Sequence, residues 1–146
     1  MITQSYPFTD EQADRIVSSL RKYHAKIAHR TNKVWFEYVD LEHVLSTILT
    51  GALPSAIVDD AYLVMYDHGA PWYNPNITVL EEVMVIKIAP GGSFDNVVAF
   101  LQSKGRLHHA SFVSVGTALA MQDETLSSVY RRHGFQVTAH QLVKPL

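Results

Sequence analysis

The run VLEEVMVIKIAPGGSFDNVVAFLQSKGR, residues 79–106, constrains the fold more than any other part of the chain. An apolar strand leads directly into a Pro-Gly-Gly turn, and the turn into an amphipathic helix. Ser93 is the expected N-cap, with Phe94, Val97, Val98 and Leu101 on the apolar face. Such a turn aims backbone N–H groups at whatever lies over the helix start, a place suited to an anion such as a phosphate. The same residues equally describe a buried strand packed on a buried helix, with Gly91 and Gly92 relieving backbone strain. The run by itself leaves both readings open.

The flanking segments supply its context. Thr9 and Gln12 form a capping-box pattern ahead of a helix over 10–29, whose stripe is Ala13, Ile16, Val17, Leu20, Tyr23 and Ile27. Residues 30–39 read as a loop with a short strand. Asp40 caps a second helix, LEHVLSTIL, closed by Gly51. Residues 2–8 read as a short strand or extended arm, 61–67 as a strand and 70–76 as an irregular edge segment. The longest strand is placed at 77–89, with further strands at 109–120 and 135–144 and a last helix from Gln122 to His133. The early strands follow one another as a meander and are expected to be antiparallel. The strand–helix–strand unit is expected to be parallel and right-handed. The predicted fold class is α/β (α+β): a mixed, mostly antiparallel sheet with a parallel central strand pair and helices on both faces, in a single domain over 1–146.

Composition excludes several functions. Net charge is −2 and no long run of one sign occurs, which argues against a dedicated nucleic-acid binder. There is no cysteine, so disulfides, thiolate metal sites and a cysteine nucleophile are excluded. No apolar run is long enough for a membrane span, and the first residues lack a signal-peptide pattern, so the expected setting is cytoplasmic, without a membrane partner. The eight histidines show no HExxH-like spacing, and no metal site is expected.

Three side chains carry candidate chemistry. Glu81 and Glu82 are adjacent on a strand, so one of them faces any cleft there, where partial burial would make it a base near neutral pH. The bland alternative is an exposed strand end or a salt bridge. By simple alternation Glu82 shares a face with Met84 and Ile86, and Glu81 with Val83 and Val85. Tyr130 lies four residues after Leu126 and points inward, either as a proton donor or as an ordinary core tyrosine. Trp35, Phe36, Tyr38, Tyr62, Tyr66, Trp72 and Tyr73 either line an acceptor groove or belong to the core.

Element order and local residues together resemble the GCN5-related N-acetyltransferase (GNAT) family. VMVIKIAPGG resembles the family's fourth strand and the start of its pyrophosphate loop. FVSVGTALAMQDETLSSVYRRHGF resembles its fifth strand and fourth helix, and LVKPL its last strand. The loop departs from the family pattern: no arginine or glutamine precedes Gly91-Gly92, and the loop is shortened. The resemblance implies an acetyl-coenzyme A site at the fork of the two parallel strands. Pantetheine would run near Ile86 and Ile88, and the pyrophosphate would lie over Gly91, Gly92 and Ser93. It implies Tyr130 as proton donor to the leaving thiolate and Glu81 or Glu82 as acceptor of the amine proton. The expected partner is an amine on a small molecule or protein, with self-association or other subunits as further partners. The alternative is a non-catalytic protein of this fold acting as a binding or structural component, for example of a phage virion.

Overall fold

A computed structural model describes residues 1–28, 34–117 and 123–146. Five strands form one sheet in the order β1-β2-β3-β4-β5: β1 Thr3–Ser5, β2 Ser55–Val58, β3 Tyr62–Gly69, β4 Val79–Lys87 and β5 Phe112–Ser114. The first three pairings are antiparallel and β4–β5 is parallel. Helices α1 (Asp10–Ala28) and α2 (Leu41–Leu49) precede β2, α3 (Phe94–Leu107) joins β4 to β5, and α4 (Asp123–Arg132) follows β5. A short 3-10 helix spans Val34–Tyr38 where the sequence suggested a strand. The remainder of that expected segment, the last part of 109–120, and Gln122 lie outside the described residues.

Local signals account for the element starts. The Thr9 N–H donates to Gln12 Oε1 at 2.9 Å and the Gln12 N–H to Thr9 Oγ1 at 3.2 Å, so the capping box is reciprocal. Asp40 accepts from the His43 N–H at 3.1 Å and opens α2. Helices cover both faces of the sheet. Ile16, Leu20, Leu45 and Ile48 of α1 and α2 pack on Ile57, Leu63, Met65, Met84 and Ile86. Val97, Phe100 and Leu101 of α3 pack on Ala56, Val58, Val64, Tyr66 and Leu80.

Five points of the sequence reading need correction. β2 had no counterpart in the sequence reading. Residues 70–76 form turns and no strand, and α3 continues past Gly105 to Leu107. Among the described residues of 109–120, Phe112–Ser114 is the strand, and 135–144 is not strand at all. An alternating pattern is not sufficient for a sheet strand, because the ladder also requires an edge to bond to. Removing the box with Thr9→Ala should destabilise the fold by about 1 kcal/mol, read as a lower urea midpoint with an unchanged slope.

Candidate functional site

The site grows from the place where two parallel strands separate. β4 and β5 pair only at Val79–Phe112, Leu80–Val113 and Glu81–Ser114. Beyond that point the ladder ends, and Glu82 Oε2 accepts the Gly116 N–H at 3.1 Å. A bulge in β4 lies at the same place: Met65 pairs with Met84 and Tyr66 with Glu82, leaving Val83 unpaired. The bulge reverses the side-chain alternation. Leu80 packs on the α3 face, whereas Met84 and Ile86 pack on the α1–α2 face and Val85 joins the α3 face. Glu82, opposite Tyr66, therefore lies on the α3 face and does not share a face with Met84 and Ile86 as simple alternation implied. Glu81 is exposed opposite Asp67.

Glu82 is half-buried. Burial pushes its carboxyl up to about 7, partly offset by the hydrogen bond from Gly116. Tyr130 of α4 is 3 % exposed. Its phenol is raised, first by burial and second by the negative charge of Glu82, so the two groups sense each other. Aromatic rings bound this pair in an edge-to-face row: Tyr62 on Phe94, Phe94 on Tyr130 and Tyr130 on Phe135, with centroids 5.4–6.0 Å apart. At the other end of α4, the charge of Asp123 adds to burial in raising the Tyr23 phenol of α1 to about 12.

The turn after β4 has two kinds of glycine. Gly91 has φ +87° and open space where a Cβ would lie. Gly92 has φ +71°, and its Cβ would come within 2.7 Å of the Ala61 Cβ, so close packing as well as backbone geometry requires glycine there. The helix start is already engaged. Asp59, in the β2–β3 turn, accepts the Ser93 N–H at 3.0 Å and Asn96 Nδ2 at 2.7 Å. Ser93 occupies the N-cap position, but its own side chain makes no capping bond. The N–H groups of Gly91, Gly92 and Phe94 have no partner among the described residues.

The structure therefore brings Glu82 and Tyr130 together and leaves Glu81 outside. The Ile86 and Ile88 side chains turn into the core, and the Ile88 N–H is bonded to the Ala61 carbonyl at 2.8 Å. The aromatic cluster does not converge: Trp72 and Tyr73 pair in an exposed turn, Trp35 contacts Phe36, and Tyr66 meets Phe100. Among the described residues no three His, Asp or Glu side chains gather to hold a metal, and no helix is long and apolar enough to cross a membrane. Sequence reasoning missed Asp59, Asn96, Gly116 and the Val83 bulge. The Asp59–Asp60 pair between two apolar runs was a hairpin signal that could have exposed the first.

Two outcomes follow for stability. Ala at 92 meets both a clash and left-handed strain, whereas Ala at 91 meets strain of about 1–2 kcal/mol alone; Gly92→Ala should lower the melting temperature more than Gly91→Ala. The folded pKa of Glu82 exceeds the ordinary 4.5. Its contribution is therefore fully present below about 4.5 and is lost as pH rises to about 7, a change of about 3 kcal/mol. Denaturation at pH 5 and pH 8 should show this loss in the native chain and not in Glu82→Gln.

No protein-family model matches the chain, and no curated protein matches it by sequence. Solved structures do match. A ribosomal-protein-alanine N-acetyltransferase from Brucella melitensis biovar Abortus superposes with TM-score 0.65 at 12 % identity, over 99 % of each chain. A GNAT family acetyltransferase from Staphylococcus aureus gives 0.58 at 13 %, over 100 % of both. A predicted acetyltransferase from Clostridium acetobutylicum, solved with acetyl-CoA, gives 0.57 at 12 %, over 99 % of this chain and 96 % of that one.

Proposed function

We propose, from the premise that this chain has the GNAT fold of mixed sheet and flanking helices, that it is an acyl-coenzyme A-dependent N-acetyltransferase acting on an amine of a small molecule or protein. The observation that carries the reading is the pairing of a near-neutral Glu82 with a buried Tyr130 at the point where β4 and β5 part. Residues around this point suit the donor's thioester arm, because among the described residues no strand pairs with β4 beyond Glu81 along its β5-facing edge. At the other end, the N–H groups of Gly91, Gly92 and Phe94 have no partner among the described residues, and the Asp59 carboxylate caps the Ser93 N–H beside them. Acetyl-coenzyme A would supply an acyl carbon activated as a thioester.

The chain's own residues divide the proton work. Glu82, ionised above about pH 7, accepts the proton of the attacking ammonium, directly or through water. Tyr130 keeps its phenolic proton at neutral pH and holds it available for the departing sulfur. The steps are coupled. Once Glu82 is protonated, the charge that raises Tyr130 is gone, and the phenol becomes a readier donor as the thiolate leaves. Phe94 and Phe135 pack on Tyr130 and limit water around it.

A second reading is favoured by the carboxylate at the start of α3. Asp59 stands where an anionic donor would be gripped, which suits a protein of this fold that binds other subunits, or copies of itself, without catalysis, for example in a virion. Acetyl transfer to a panel of amines separates the two. The enzyme reading expects a rate that rises through about pH 7, a loss of about 10²–10⁴-fold in kcat for Glu82→Gln with the acid limb abolished, and a lower kcat with little change in KM for Tyr130→Phe. No transfer to any amine at millimolar donor would favour the second reading.

A further inference from the structure

We propose that Asp59 determines how this site selects its acyl donor: it keeps the start of α3 from gripping a diphosphate, so that donors are held mainly by the pantetheine arm. The inference rests on the acetyl-transfer reading and concerns the end of the site remote from Glu82. One carboxylate oxygen of Asp59 accepts the Ser93 N–H at 3.0 Å and Asn96 Nδ2 at 2.7 Å; the other accepts the Ile2 N–H at 3.3 Å. The Asn96 and Ser93 bonds hold its pKa below the usual carboxylate value, so it is anionic at neutral pH.

Its position is fixed by the turn that carries it. Asp59 and Asp60 both have φ +54°, and the Ala61 N–H closes on the Val58 carbonyl at 3.0 Å, a type I′ arrangement. Arg15 of α1 holds Asp60 through its carboxylate at 2.6 Å and its carbonyl at 3.0 Å. A second carboxylate, Asp95, lies in the first turn of α3 and meets His133 Nε2 at 2.8 Å. A diphosphate over Gly91, Gly92 and Phe94 would adjoin both carboxylates. Lys87, whose Nζ lies 5.2 Å from the Tyr62 ring centroid, is a nearby cation. A like charge about 4 Å away weakens binding by about fivefold even at the dielectric of water. The Asp59 cap thus takes the Ser93 N–H from within the chain and sets a carboxylate beside the Pro90-Gly91-Gly92 turn.

The test is calorimetry on the whole chain with acetyl-coenzyme A, with acetyl-pantetheine, which lacks the diphosphate, and with inorganic pyrophosphate. The native chain should bind the two donors within about tenfold of each other and pyrophosphate only weakly, as the shared N-terminus charge predicts. Asp59→Asn should tighten acetyl-coenzyme A by about fivefold to tenfold and leave acetyl-pantetheine unchanged. Asn tolerates positive φ and still accepts the Ser93 N–H. Asp59→Gly, which also suits this backbone, is the second variant and should shift in the same direction, with thermal melting as the check on folding for both. A native chain that binds acetyl-coenzyme A a hundredfold or more tighter than acetyl-pantetheine overturns the proposal, as do folded variants with unchanged affinity. If the native chain binds neither donor, the acetyl-transfer reading itself falls and takes this one with it.

Discussion

The site depends on a sheet that stops. Three residue pairs join β4 to β5, and the next bond along the line runs from the Gly116 N–H to the Glu82 side chain instead of to a backbone carbonyl. A carboxylate substituting for a strand backbone does two things at once. It satisfies a donor that the separated strand would leave bare, and it places an ionisable group where burial raises its pKa. Tyr130 of α4, whose phenol feels the charge of that carboxylate, is itself packed edge-to-face against Phe94 and Phe135.

Charge is distributed unevenly along this groove. At the fork, burial raises one carboxylate and one phenol, and the negative charge of the carboxylate raises the phenol further. At the α3 start, a carboxylate is held ionised by the hydrogen bonds it accepts from Asn96 and Ser93. The first arrangement is suited to moving protons and the second to fixing a helix end. Both use acidic side chains, and environment alone decides which role each one has.

Much of the frame was legible because it depends on local chemistry. The Thr9–Gln12 box and the Asp40 cap each act within four residues, and both were read correctly. The β4–turn–α3 run was also plain, since a long apolar strand and glycines before an amphipathic helix have few alternatives. What was missed depends on partners distant in sequence. β2 is four buried residues with no alternation to detect, so only its neighbours identify it as a strand. The segment 135–144 alternates well, yet no ladder holds it. The Val83 bulge is invisible without β3 opposite, which is why Glu82 was assigned to the wrong face, while the inward direction of Tyr130 was readable from helix spacing and its role came from the family resemblance. Asp59 reaches Ser93 across 34 positions, beyond any sequence window.

The bulge also acts as a frameshift in space. Upstream of Val83, even-numbered β4 residues belong to the α3 layer; downstream, even-numbered residues belong to the α1–α2 layer. A single surplus residue thus lets one strand serve two hydrophobic layers with different phasing, and the acidic side chain sits at the seam between them. Deleting that residue would leave Glu82 and Met84 consecutive and on opposite faces, so both layers would keep their inventories. Pulling Val83 into a regular ladder would instead bring Met84, Ile86 and Ile88 into phase with Leu80 and exchange the two layers, so it is the bulge that lets the extra residue be carried without rewriting the core.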